Sequence, residues 1–278
     1  MKVAAIQMVS STRLADNLAR AAALIAEAAA SGAELAVLPE YFCLMGQRDT
    51  DKLTIQEAFG DGPIQRFLAQ SASMHGLWLV GGTLPLAAQA PDAMASTGRV
   101  FNSSLVYTPD GRCTARYDKM HLFRFDNGIE RHDESRVLCA GALPRMFELP
   151  SRDGHLWRIG LSVCYDLRFA ELYRHYAALG ADLLLVPSAF THATGQAHWE
   201  LLLRARAIEN LACVVAAAQG GLHESGRRTW GHTMVVDPWG SVLGSRTVDG
   251  EGVLTVELDA RQTARFRAQL PALDHRRL

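Results

Sequence analysis

Residues 155–173 read HLWRIGLSVCYDLRFAELY. From Trp157 the side chains alternate. Trp157, Ile159, Leu161 and Val163 fall on one side of an extended strand, and Arg158, Gly160, Ser162 and Cys164 on the other. The first side is large and apolar and belongs to a core. The second becomes small towards its end, which leaves room above it, and Cys164 closes the strand there. Asp166 stands where it can cap a helix by accepting backbone N–H groups from the next turn. Leu167, Phe169, Leu172 and Tyr176 recur at near-helical spacing, so a helix is expected over 168–179. A thiol between a strand end and a helix N-terminus lies in a positive local field that favours the thiolate. The alternative for such a cysteine is an inert, small hydrophobe.

The totals set the frame. The chain has 278 residues, 49% of them hydrophobic and 21% charged, enough to fill a sizeable core. A net charge of −1, with no basic stripe, points away from nucleic acid and from acidic membrane surfaces. No apolar run reaches membrane-spanning length, and MKVAAIQMVSSTR at the start reads as a first strand and not as a signal peptide. The five cysteines are odd in number and lack C-x-x-C spacing, which suits free thiols in a reducing cytoplasm.

Around the central stretch, strands and helices take turns. Strand 2–8 precedes an alanine-rich helix over 15–31 that Gly32 ends. Strand 34–42 is cut by Pro39, which leaves Glu40 at its C-terminal end, where a loop or capping role is the plain alternative. Pro63 opens a helix over 63–75. A continuous apolar strand is expected over 77–86, a small polar loop over 87–98, and a hairpin over 101–119 that turns at Pro109-Asp110-Gly111. Lys119 ends that hairpin, where a lone lysine is ordinarily solvated. A long polar loop, 120–143, contains Glu134, and loops of that length inside a domain commonly serve a function. After the central stretch come a buried strand (181–190), a helix (196–210) with Glu200 and Arg204 spaced to pair, and strands at 211–219, 232–243 and 251–259. The tail, 260–278, is a short helix plus an extension suited to packing on a neighbouring subunit. We read one domain over 1–278, of α/β class, with two packed sheets and helices outside.

Three strand ends thus offer Glu40, Lys119 and Cys164, and sites in α/β folds form beyond the carboxyl ends of strands. Amide hydrolysis through a thioester needs these groups. The thiol attacks, the carboxylate moves protons, and the ammonium stabilises the oxyanion and lowers the thiol pKa. The Tyr165 N–H, next after the nucleophile, is a second oxyanion donor.

AVLPEYF, RYDKMHLF and LSVCYDLRFAEL, in that order, resemble the three motifs of the nitrilase-like carbon–nitrogen hydrolases, over essentially the whole chain. The resemblance implies a four-layer αββα sandwich, a catalytic triad of Glu40, Lys119 and Cys164, a second glutamate at Glu134, and a homodimer or larger assembly. PSAFTHATGQAHWELLLRARAIENLACVVAAAQGG and GHTMVVDPWGSVLG further resemble the branch that contains deaminated-glutathione amidase and ω-amidase, the former more closely. That branch implies an α-keto acid amide as the small-molecule substrate, and Phe190 and Thr194 in its site. An α-keto carboxylate suits a planar fork of donors, which Arg168 carries four residues after Cys164. The structural alternatives are an Arg168 pair with Glu171 or Asp166, Phe190 as plain core, and Thr194 as a helix cap.

Other classes fit less well. The ten histidines show no H-E-x-x-H or similar spacing, so no metal is expected. Neither G-x-G-x-x-G nor G-x-x-x-x-G-K-[ST] occurs, so no nucleotide cofactor is expected, and Gly81-Gly82 reads as a place of close backbone packing. A partner-binding protein that had lost its chemistry would lack one of Glu40, Lys119 and Cys164. A nitrilase acting on R–C≡N uses the same groups, but Arg168 favours the amide.

Overall fold

A computed structural model of the chain describes residues 1–88, 98–126, 128 and 131–277. Most of the loop expected over 87–98 therefore lies outside the described residues, as do positions 127, 129 and 130 of the 120–143 loop.

The chain begins with β1 (Lys2–Gln7), α1 (Leu14–Ala30), β2 (Leu35–Val37), α2 (Pro63–His75) and β3 (Trp78–Val80). The three strands lie parallel, with the helices as crossovers. β4 (Leu84–Ala87), β5 (Val100–Tyr107) and β6 (Cys113–Asp118) add antiparallel pairs, the last two as the expected hairpin. β7 (Arg124–Asp126) and β8 (Arg131–Asp133) form a small ribbon, and β9 (Leu138–Cys139) pairs with β5. The 120–143 loop thus carries short elements of its own, which its polar composition hid.

The second half repeats the plan with β10 (Met146–Pro150), β11 (Leu156–Leu161), α3 (Ala170–Ala178), β12 (Leu183–Leu185), α4 (His192–Asn210) and β13 (Cys213–Ala216). β11, β12 and β13 are parallel. Then follow a ribbon of β14 (Gly220–Leu222) and β15 (Arg228–Trp230), a hairpin of β16 (Met234–Val236) and β17 (Val242–Ser245), β18 (Gly252–Glu257) and α5 (Ala260–Gln269). One sheet runs β18-β1-β2-β3-β5-β4 with β6 and β9 on β5; the other runs β10-β11-β12-β13-β16-β17. β18 returns to the first sheet, so the two halves are closed by the last strand.

Period-two burial makes the layers. Val3 and Ala5 of β1, with Leu35 and Val37 of β2, pack with Trp157, Ile159 and Leu161 of the opposite sheet. Their neighbours Ala4, Ile6 and Ala36 pack with Ile25 of α1 and Leu68 of α2. On the far side, Gly160 faces α3. A Cβ there would lie 2.7 Å from the Tyr176 ring, so only glycine lets the helix approach. The result is an αββα sandwich.

Several boundaries differ from expectation. The strand foreseen at 77–86 is broken at Gly81-Gly82. Gly82 has φ +50° and a Cβ there would lie 2.0 Å from the Pro39 carbonyl oxygen, so the close backbone packing is real and it interrupts the strand. The expected helix over 168–179 is a tight 3₁₀ turn, Cys164–Arg168, followed by α3. α4 begins at His192, four residues early, so Thr194 lies in its first turn and not in a loop. In the tail, Arg267 of α5 donates to the Leu211 and Ala181 carbonyls and to Asp182 Oδ1, which fastens the helix to its own chain.

Candidate active site

Glu40 follows β2, Lys119 follows β6 and Cys164 follows β11 after two residues. The strand ends converge because the two sheets face each other. Cys164 has φ +51°, a left-handed conformation that costs a non-glycine residue about 1–2 kcal/mol. The four buried apolar side chains of its strand, at about 1.5–3 kcal/mol each, outweigh that cost. Local bonds fix the turn. The Cys164 N–H donates to the Pro187 carbonyl at 3.0 Å. Fully buried Asp166 accepts from the Val163 N–H (2.8 Å), the Tyr117 hydroxyl (2.7 Å) and the His121 N–H (3.0 Å). Asp166 thus caps backwards onto Val163, not forwards into the helix as its position suggested. Tyr41, just after Glu40, is also left-handed, at φ +57°. Strain at both turns is held by surrounding bonds, the pattern found at functional sites.

The floor of the site is a buried charge network. Lys119 Nζ donates to Glu40 Oε1 at 2.9 Å and lies 2.9 and 2.8 Å from the two Glu134 oxygens. Glu40 also accepts from Asn102 Nδ2 (2.9 Å) and, through Oε2, from the Ala189 N–H (3.0 Å). Glu134 accepts from the Tyr41 hydroxyl (2.8 Å) and the Phe123 N–H (2.7 Å). Burial opposes the Lys119 ammonium, but Glu134 and Glu40 outweigh it and hold its pKa well above the ordinary value. Burial likewise opposes the Glu134 carboxylate, and the charges of Lys119 and Lys52 outweigh it and hold it low.

The Cys164 thiol behaves otherwise. Burial, and then the Glu40 carboxylate, raise its pKa well above the ordinary value, against Lys119 and the Ala189 N–H. The expectation of a standing thiolate is therefore overturned. A short 3₁₀ turn and one ammonium do not offset burial beside the Glu40 carboxylate. The resting site holds a neutral thiol next to a proton acceptor.

These groups line one cavity, open to solvent, of about 390 Å3. All eight residues singled out in the sequence reach it. Glu40, Lys119, Glu134 and Cys164 make the floor, and Tyr165, Arg168, Phe190 and Thr194 the wall. Arg168 pairs with neither Glu171 nor Asp166. Its guanidinium lies 3.2 Å from His198 Nδ1 and over the Tyr165 and Phe190 rings, and no carboxylate among the described residues pairs with it. Phe190 is also packed edge-on against Trp199 at 4.9 Å, so core and cavity share it. Thr194 hydrogen-bonds Thr191 at 2.8 Å.

The chain matches the family model described as carbon-nitrogen hydrolase over residues 2–268. This chain belongs to the carbon–nitrogen hydrolases. The hydrolase is 38% identical to a deaminated glutathione amidase of Yersinia enterocolitica over 99% of its own length and 92% of the relative's. It is 36% identical to the omega-amidase NIT2 of Danio rerio, covering 99% of this chain and 94% of that one. Among solved structures, Saccharomyces cerevisiae Nit3, a member of branch 10 of the nitrilase superfamily, superposes with a TM-score of 0.85 at 30% identity, over 100% of this chain and 97% of that one. The hydrolase therefore has the nitrilase-type αββα fold and acts on carbon–nitrogen bonds other than peptide bonds.

Several cavity residues carried no signal in the sequence of the hydrolase. Tyr41, Phe123, Ala189, Thr191 and Arg227 line the site because distant segments fold together. Lys52 sits 4.6 Å over the Tyr41 ring, its pKa lowered by burial against the pull of Glu134. Gln219 donates to the Glu40 carbonyl at 3.1 Å and so fixes the backbone of that turn. Two histidines are built into the structure. His223 is buried between the Ser10 carbonyl and Thr229, and His232 stacks on Trp230 at 4.0 Å. Among the described residues no three His, Cys, Asp or Glu side chains gather as a metal site, and no helix is long and apolar enough to cross a membrane.

Proposed function

We propose that Cys164 forms a thioester with the acyl half of an α-keto acid amide, and that deaminated glutathione is hydrolysed to α-ketoglutarate and cysteinylglycine. One observation carries this reading. A thiol, a carboxylate and an ammonium share a buried floor, and an arginine that no carboxylate among the described residues pairs with stands on the wall above them.

The steps follow from that arrangement. Sγ bonds to the amide carbon as Glu40 takes the thiol proton. The ammonium of Lys119 has three N–H donors. Glu40 and Glu134 occupy two, and the third, with the Tyr165 N–H, meets the oxyanion. The C–N bond breaks as Glu40 returns the proton to the amine. Water then attacks the thioester and gives its proton to Glu40, and the C–S bond breaks with that proton passing back to sulfur. Glu134 positions Lys119. Arg168 holds the α-keto carboxylate through its fork, flanked by Phe190 and Thr194.

The ω-amidase relatives favour a second reading, in which α-ketoglutaramate is the substrate. The test is kcat/KM for both amides, with Cys164→Ala as the blank. Preference for deaminated glutathione supports the first reading, and preference for α-ketoglutaramate the second. No turnover of either discards both, and turnover of a nitrile would then move the chain to the nitrilases. The free state of the cysteines suits a reducing compartment, and we place a single-domain homo-oligomer, a dimer or larger, in the cytoplasm. Sedimentation as a monomer at micromolar concentration would remove the assembly.

A further inference from the structure

The cavity does not end at its wall. Ala189, Thr191 and Arg227 line both the cavity and an adjoining groove of about 850 Å3, whose other residues include Arg131, His132 and Arg228. Cys164, Tyr165, Arg168 and Phe190 line the cavity alone. Arg168, which is assigned the α-keto carboxylate, lines the cavity and not the groove, so an acyl half held at Arg168 leaves the groove open.

Its starting point gives it a direction. The Ala189 N–H is bonded to Glu40 Oε2, on the carboxylate that would hand a proton to the departing amine. Ala189 thus touches the carboxylate that would protonate the departing amine and also lines the groove. A primary amide releases ammonia, which has nothing to place there. A peptide-like amine does.

The groove is cationic, and its charges are loosely engaged. Arg227 lies 3.7 Å from Asp49, Arg228 3.7 Å from Asp249 and Arg131 3.6 Å from Asp126. These separations exceed the 2.7–2.9 Å typical of a charge-assisted hydrogen bond. The position of Arg227, in contrast, is firmly built. It closes the turn between β14 and β15, where its carbonyl accepts from the His223 N–H at 2.9 Å. The His223 ring is buried and bonded to the Ser10 carbonyl and to Thr229. A Thr191–Thr229 bridge ties the ribbon to the cavity wall. A guanidinium on a fixed backbone, weakly paired and facing both spaces, is suited to receive a carboxylate.

We infer that Arg227 binds the carboxylate of the amine half of the substrate, and that the groove behind it selects amides of short, C-terminally anionic peptides over primary amides. This rests on the proposed reaction for its direction, but its test needs no turnover. Cysteinylglycine and its C-terminal carboxamide are titrated calorimetrically into the Cys164→Ala chain under reducing conditions. The carboxylate form should bind at least tenfold more tightly, and Arg227→Gln in the same background should abolish the difference. Arg227→Lys should keep part of it, because it retains the charge and loses the fork. Equal binding of the two forms, no binding of either, or a difference that survives Arg227→Gln would overturn the inference. The first comparison requires no change at Arg227, so a poorly folding variant leaves it decisive. Absence of turnover with α-keto acid amides would defeat the acyl assignment and not this one.

Discussion

The floor of the cavity and its rim hold the same kinds of charge under opposite conditions. On the floor, Lys119 and Glu40 are each 1% exposed, and their polar atoms are committed to one another, to Asn102, to Glu134 and to the Ala189 N–H. On the rim, Arg168 is steadied by two rings and a histidine, and Arg227 by a carboxylate 3.7 Å away. Removing one member of the floor leaves a buried charge without its partner, which is expensive. Removing a rim arginine exposes little that water cannot solvate. In the proposed reaction the floor sets which bond is broken, and the rim sets on which molecule.

The largest effect is expected at the nucleophile. Cys164→Ala should abolish turnover while leaving the melting temperature near that of the parent, because a small buried side chain is replaced at an unchanged turn. Full activity in that variant would remove the thioester. The state of the thiol sharpens the point. Since its pKa is raised, thiolate is scarce at neutral pH, and alkylation by iodoacetamide should keep accelerating above the ordinary thiol value near 8.5. Glu40→Gln removes a charge that raises this pKa, so the alkylation profile should move to lower pH. An unmoved profile would mean that Glu40 does not hold the thiol proton in place.

Lys119→Ala comes next, and there the floor should differ from the rim in two measurements at once. Loss of one oxyanion donor predicts a fall of about 10²–10³ in kcat. Two carboxylates left facing each other predict a loss of about 3–5 kcal/mol in denaturant unfolding. A variant as stable as the parent would erase the contrast between floor and rim.

Much of the floor was legible beforehand for a physical reason. A strand writes its sidedness into alternate residues, so the placement of Cys164 beyond Trp157, Ile159 and Leu161 could be read locally. Pro39 and the 101–119 hairpin marked the ends that carry Glu40 and Lys119 in the same way. What depends on distant segments was not legible. The thiol was expected to ionise because a helix start is a local feature, whereas its burial comes from chain far away; Ala189 and Glu40, which act on it together, are 149 residues apart. The role of Asp166 was hidden for the same reason, since two of its partners, Tyr117 on β6 of the other sheet and His121 just beyond it, are distant in sequence. Arg227 stands in a ribbon that no alternation announced, because β14 and β15 are three residues each.

On the rim, Arg168→Ala should reduce kcat/KM for an α-keto acid amide at least tenfold more than for an uncharged amide of similar size, the expected loss of a charge-assisted bidentate contact. Stability should change far less than in Lys119→Ala. An equal effect on both amides would take Arg168 away from the carboxylate and leave only its packing on Tyr165 and Phe190.

The smallest effect calibrates the others. Arg204 and Glu200 form an i, i+4 pair on α4 at 3.2 Å, with side chains 46% and 55% exposed. Its geometry resembles that of the floor, but water screens it and both side chains lose freedom in forming it. Glu200→Ala should therefore cost about 0.3–0.5 kcal/mol in denaturant unfolding and leave kcat/KM unchanged. A loss as large as that of Lys119→Ala would show that burial is not what separates the two networks, because the exposed pair would then be as costly to break as the buried one.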